Sequence, residues 1–176
     1  MSVNLYPIKI AGVGKGLPES VITNLDLEKL VDTNDEWITT RSGIKERRLV
    51  SGDETGTSLA AKAGKQALEF AGIDCSEIDL IICATSIPDN LYPSTACEIQ
   101  KELGCINAAA FDITAACSGL IYGMNIARSF IASGTYKKVL LTAVDVHSRF
   151  VNWEDRSSCV LFGDGAGAMV LTRSED

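Results

Sequence analysis

The sequence predicts an α/β fold in which strands alternate with helices, an order that favours a parallel sheet with helices packed on its faces. Three observations carry this prediction. Compact apolar runs short enough for strands recur along the chain, stretches with apolar residues at helical spacing lie between them, and glycines punctuate the joints. The 176 residues fit a single domain, taken over 1–176, against a prior of roughly 150 residues per domain. A composition of 46% hydrophobic and 22% charged residues suits a chain that buries a core.

The elements follow in order. Ile8–Val13 is an apolar run ended by Gly14, Gly16 and Pro18, and reads as a strand followed by a turn. Asn24 suits the cap of a short helix over Leu25–Val31, Asp35–Arg41 is a second helical piece, and Glu46–Val50 reads as an edge strand. From Thr57 to Ala71, the residues Ala60, Ala63, Ala67, Leu68 and Ala71 recur at helical spacing, and Gly72 supplies the stop. Leu80–Thr85 is a strand. Ser94–Leu103 is a helix with Ala96, Ile99 and Leu103 on one face and Gly104 closing it, and Ala108–Ile113 is again a strand. Ser118–Ser133 is apolar almost all round, as in a helix buried in the middle of a domain. Lys138–Val144 and Ala168–Leu171 complete the strands, with no low-complexity segment or linker between elements.

Composition excludes several functions. A net charge of −7 argues against a general nucleic-acid binder, which carries a basic excess. No apolar run approaches the roughly 18 residues of a membrane span, and MSVNLYPIKI lacks the charged-then-apolar pattern of a secretory signal. The single histidine, His147, rules out a histidine metal cluster and any mechanism that needs two histidines from this chain; no metal is expected. Cys75, Cys83, Cys97, Cys105, Cys117 and Cys159 include no pair at zinc-ribbon or thioredoxin spacing. An acidic chain without a signal is expected in the cytoplasm, where thiols stay free. Most of these cysteines then read as small buried hydrophobes.

Two glycine clusters invite over-reading. Gly12-Val-Gly14-Lys-Gly16 follows a strand, but Leu17-Pro18 stands where a dinucleotide-binding helix would open. Gly163-Asp-Gly165-Ala-Gly167 precedes a strand, the wrong order for a phosphate loop. Both read as tight turns and close backbone packing. The segment Arg41–Arg48 is locally +3; it is either a solvated basic face or a landing site for a phosphorylated ligand, with Trp37 beside it to stack an adenine. The sharpest site is Asp112-Ile-Thr-Ala-Ala-Cys117-Ser-Gly119, which puts a cysteine where a strand ends and a helix begins. A helix N-terminus lowers a thiol's pKa. The small neighbours let a substrate carbonyl approach, and the Cys117 N–H is a candidate oxyanion donor.

At these residues the chain resembles a known family. Asp32-Thr-Asn-Asp-Glu-Trp37-Ile-Thr-Thr-Arg41-Ser-Gly-Ile-Lys-Glu-Arg47, Phe111-Asp-Ile-Thr-Ala-Ala-Cys117-Ser-Gly119 and Phe162-Gly-Asp-Gly-Ala-Gly167 resemble, in order and spacing, three signatures of β-ketoacyl-acyl-carrier-protein synthase III. The resemblance implies a thiolase-like half with a mixed, mostly parallel five-stranded sheet and helices on both faces. It implies acyl transfer from acyl-coenzyme A to Cys117. The carbanion left when malonyl-acyl-carrier protein loses carbon dioxide then attacks that thioester, initiating fatty-acid synthesis. No cofactor is implied beyond the coenzyme A thioester, which is a substrate. Trp37 and Arg156 match the positions that sandwich its adenine, Thr33 and Arg41 match residues near its nucleotide end, and Leu161 and Phe162 match the pantetheine channel wall. Tyr92 matches a residue that reaches across a homodimer to close the acyl pocket. His147 falls near that pocket, at a position otherwise apolar, and is expected at the surface. Family members are about twice as long, and their decarboxylating histidine and asparagine belong to a C-terminal half that this sequence does not match. Three readings follow: the N-terminal half of a condensing enzyme, itself inactive in condensation; a non-catalytic dimerising half-subunit that needs a separate C-terminal chain; or another thioester enzyme related to thiolase or hydroxymethylglutaryl-coenzyme A synthase. The Trp37 and Arg41 signature favours synthase III over the last.

Overall fold

The computed structural model describes residues 6–174, so part of the N-terminal stretch read for a signal lies outside the described residues. In chain order the elements are β1 (Ile8–Gly16), β2 (Ser20–Thr23), α1 (Asn24–Leu27), α2 (Asp35–Ser42), β3 (Glu46–Leu49), α3 (Gly56–Ala71), β4 (Leu80–Ala84), α4 (Thr95–Leu103), β5 (Ala109–Ile113), α5 (Gly119–Ser133), β6 (Lys138–Val146), α6 (Arg156–Cys159) and β7 (Asp164–Arg173). Single 3-10 turns lie at Cys75–Glu77, Ala116–Ser118 and His147–Arg149. Among the described residues no helix is long and apolar enough to cross a membrane.

The main sheet has the order β1-β7-β6-β4-β5. β4 runs parallel to β5 and β6, while β7 runs antiparallel to both β6 and β1. The sheet is therefore mixed but mostly parallel, with β7 alone reversed. Side chains alternate across it. Ile81, Cys83, Leu140 and Val170 pack with α3 and α4 on one face. Leu80, Ile82, Val139, Leu141 and Leu171 pack with Ala127 and Ile131 of α5 on the other. β4 is buried along its whole length, as a central strand covered on both faces must be.

Several elements differ from the sequence expectation. β1 continues through Gly14 and Gly16 instead of turning there. A Cβ on Gly12, Gly14 or Gly16 would lie 2.2, 2.1 or 1.9 Å from the carbonyl oxygen of Ala67, Ala63 or Leu59 on α3. Two strand residues advance about 6.6 Å and four helix residues about 6 Å, so the glycines keep step with one face of α3. Gly165 and Gly167 likewise lie inside β7 and not in a turn. β3 pairs with β2 in a separate two-stranded ribbon. The short helix α1 is capped by Thr23 and ends at Leu27, while Asn24 is buried inside it, donating to Asp35 Oδ1 and Ile44 O at 2.8 Å each. α5 is not covered all round: Ile121 and Tyr122 are 52% and 56% exposed.

Candidate active site at the head of helix α5

The end of β5 is pinned from two sides. The Asp112 carboxylate accepts from the backbone N–H of Thr95 and Ala96 at 2.8 and 2.7 Å, which seats the N-terminus of α4 beside the strand. Thr114 Oγ1 donates to Thr85 O at 3.0 Å, and Thr85 N donates to Ile113 O at 3.1 Å. The chain then turns sharply. Ala116 has φ +45°, a left-handed conformation that costs an L-residue about 1–2 kcal/mol. Cys117 follows in the 3-10 turn and is exposed.

α5 begins two residues later, close against the sheet. A Cβ on Gly119 would lie 2.9 Å from Ala84 Cβ, and one on Gly123 would lie 2.5 Å from Leu141 Cδ1. These glycines, one helical turn apart, let the helix descend onto β4 and β6. Cys117 is thereby held beside the first turn of α5, whose leading N–H, on Gly119, donates to Ala116 O.

Cys117 lines a cavity of about 240 Å3 together with Leu120, Asp145, His147, Gly163 and Gly165. The alternation of β6 explains Asp145. Val139 and Leu141 face α5, and Ala143 and Asp145 continue that side, while His147 opens the 3-10 turn just past the strand. In β7, Ala166, Ala168 and Val170 pack on the α3 side, so Gly165, on the other side, adds no side chain to the cavity, and Gly163 lines it just before the strand. Asp145 is fixed by Ser86 N at 2.8 Å and Thr85 Oγ1 at 3.3 Å. His147 is not a surface residue as expected. It is half-buried on the cavity wall, its ring stacked on Phe162 at 4.8 Å with a 10° interplanar angle. Asp145 escaped the sequence reading, although an acid two residues before the lone histidine, at the end of an apolar strand, was a usable signal.

A second cluster forms around Trp37. Asn34 caps α2 by accepting from Trp37 N at 2.8 Å. Arg41, one turn along α2, places Cζ 4.6 Å from the Trp37 ring centroid, and Arg156 places its own 4.9 Å away while donating to Asp32 O at 3.0 Å. The hydroxyl of neighbouring Thr33 is buried without a hydrogen-bond partner. Leu161 and Phe162, both exposed, run from α6 to the cavity wall at Gly163, so one short segment links the two clusters. Tyr92 joins neither cluster and is 90% exposed.

The basic segment divides. Arg47 is only 5% exposed and donates to Asn24 Oδ1, Val160 O and Ile22 O; burial pushes its pKa below the ordinary guanidinium range. Arg48 donates to Pro18 O at 2.9 Å. Both therefore brace the β2–β3 ribbon, and Arg41 is the member of the segment that reaches the Trp37 cluster.

The cysteines also separate. Cys83, Cys105 and Cys159 are buried, and Cys75 and Cys97 are partly so. Burial pushes the thiols of Cys83 and Cys105 up to about 12 and raises that of Cys159. Since the thiolate is the nucleophile, brief iodoacetamide treatment near pH 8 is expected to label Cys117 ahead of the other five. Peptide mapping reads this directly, and equal labelling of all six would contradict an accessible reactive thiol at the head of α5.

Known proteins share this fold and much of this sequence. The family described as 3-Oxoacyl-[acyl-carrier-protein (ACP)] synthase III matches residues 111–176. The chain is 54% identical over 166 residues to the β-ketoacyl-[acyl-carrier-protein] synthase III of Caldanaerobacter subterraneus subsp. tengcongensis, covering 94% of this chain and 50% of that protein. The crystal structure of 3-oxoacyl-[acyl-carrier-protein] synthase III from Aquifex aeolicus VF5 superposes with a TM-score of 0.94 at 57% identity, covering 96% of this chain and 55% of that one. The priming β-ketosynthase of the R1128 polyketide biosynthetic pathway superposes with a TM-score of 0.95 at 36% identity, covering 100% and 53%. The chain spans about half the length of the relatives it matches.

Proposed function

The chain is homologous to β-ketoacyl-[acyl-carrier-protein] synthase III over nearly all of its own length, and from that homology we propose that Cys117 accepts an acyl group from acyl-coenzyme A, in preparation for condensation with malonyl-acyl-carrier protein. The observation that carries this reading is the position of Cys117, exposed on a cavity at the head of α5. The Cys117 thiolate attacks the thioester carbonyl, and the first-turn N–H groups favour the oxyanion that forms. The coenzyme A thiolate leaves, and the acyl group stays on sulfur. We read residues 1–176 as one thiolase-like unit acting in the cytoplasm. The decarboxylating histidine and asparagine belong to a second half, carried on the same chain or a separate one.

Trp37, Arg41, Arg156 and Thr33 then receive the nucleotide, and Leu161 and Phe162 border the path of the pantetheine arm. A planar base between Trp37 and Arg156 needs about 7 Å, two van der Waals contacts of roughly 3.5 Å. The present 4.9 Å requires Arg156 to swing outward and release Asp32 O. The test is acylation itself: incubation with acetyl-coenzyme A adds one acetyl group at Cys117 by peptide mass, and Cys117→Ala adds none. Trp37→Ala is expected to raise the acetyl-coenzyme A concentration for half-maximal acylation about tenfold, the effect of losing one base–aromatic stack. Acetylation spread over several cysteines, or acylation of Cys117→Ala, would refute the reading.

Among the described residues, β5 ends the sheet order with one side unpaired. Pairing of this edge with a second copy would complete a homodimer and bring the exposed Tyr92 towards the partner. A dimer is expected by sedimentation at micromolar concentration, and a monomer there would contradict it.

A further inference from the structure

We propose that His147 is a general base that hydrolyses the acyl thioester on Cys117, giving the chain a thioesterase activity of its own. The inference rests on Cys117 carrying an acyl group, as above, and goes beyond it. His147 and Cys117 sit on the walls of one cavity of about 240 Å3, which has room for several water molecules. The imidazole stacks through its face on Phe162 and lines the cavity. The 147–149 turn is held by its backbone, with Phe150 N and Val151 N donating to His147 O. The ring is thus positioned without spending either nitrogen.

Among the described residues no hydrogen bond joins the imidazole to the Cys117 thiol, which suits a base acting on water between them better than one that activates the thiol. Asp145, near the end of β6, shares the cavity wall. In the step, His147 takes a proton from water while the water oxygen bonds to the acyl carbon. The tetrahedral intermediate expels the Cys117 sulfur, which recovers the proton from the imidazolium. The products are the free carboxylic acid and the Cys117 thiol, with no redox change and no further reactant.

The test loads Cys117 without coenzyme A. p-Nitrophenyl acetate transfers its acetyl group to an accessible thiol and releases p-nitrophenol, after which loss of the acetyl group is followed by intact mass. Decay is expected to slow about a hundredfold in His147→Gln, within the range for loss of a general base. His147→Ala should be slowed similarly and partly rescued by added imidazole, an effect that packing alone does not produce. Iodoacetamide reactivity of Cys117, unchanged in both variants, establishes that the site is intact. Unchanged acetyl decay in both variants, or slowed decay that imidazole fails to restore, would overturn the proposal. If p-nitrophenyl acetate loads Cys117 and acetyl-coenzyme A does not, the acyl-transfer reading fails while this one is still decided by the decay rates.

Discussion

A preparation holding only these 176 residues is expected to form no β-ketoacyl product from malonyl-acyl-carrier protein, even with Cys117 acylated. Decarboxylation builds negative charge on the malonyl carbonyl, and that charge needs donors aimed at it. Loss of one oxyanion donor costs about 10²–10³ in rate, and loss of a general acid or base about 10²–10⁴. The sequence has one histidine, and it lines the same cavity as Asp145 and Cys117. A deficit of at least about 10⁴ relative to a complete synthase follows. Mass detection of the β-ketoacyl-carrier protein measures it. Turnover approaching that of a complete synthase would show that other residues of this chain stabilise the carbanion.

Gly14→Val is expected to abolish the folded state. The first added carbon already falls 2.1 Å from Ala63 O and 2.7 Å from Ala67 N. These are backbone atoms in mid-helix, so no rotamer relieves the clash. β1 and α3 would have to part along the seam where Gly12, Gly14 and Gly16 all make contact, uncovering Ala63, Ala67 and Val170. Overpacking commonly costs 1–3 kcal/mol; a backbone clash of this depth costs more, against a total stability of about 5–15 kcal/mol. Circular dichroism is expected to show no cooperative thermal transition for Gly14→Val. Gly167→Ala is the control, since a Cβ there meets nothing within 4 Å, and it should melt within a few degrees of the parent. A Gly14→Val protein that melts like the parent would overturn the seam.

Much of this architecture was legible in the sequence because it is written locally. α3 shows its spacing and its glycine stop, α4 its apolar face and closing Gly104, and Cys117 its place between an apolar strand and an apolar helix. What escaped depends on partners distant in the chain. A glycine in a turn and a glycine under a helix look alike until the helix about fifty residues on is placed against it. Ser20–Thr23 has too few residues to show a period, and becomes a strand because Glu46–Leu49 lies beside it. Arg47 looked solvated until Val160, far along the chain, supplied a carbonyl. His147 looked external because its burial is created by Phe162. The site residues that resemblance pointed to fall into the two linked clusters, with Tyr92 outside both.

The left-handed backbone at Ala116 bears on how such a motif can be moved between proteins. Its local sequence prefers another shape; the bend persists because Asp112, Thr114, Thr85 and the seating of Gly119 on Ala84 leave it no alternative. A peptide carrying Phe111–Gly119, or a loop grafted with it, would relax and lose the orientation of its thiol. The transferable unit is the whole strand–turn–helix corner with the neighbouring strand beneath it, and a designer borrowing the nucleophile must borrow the floor as well.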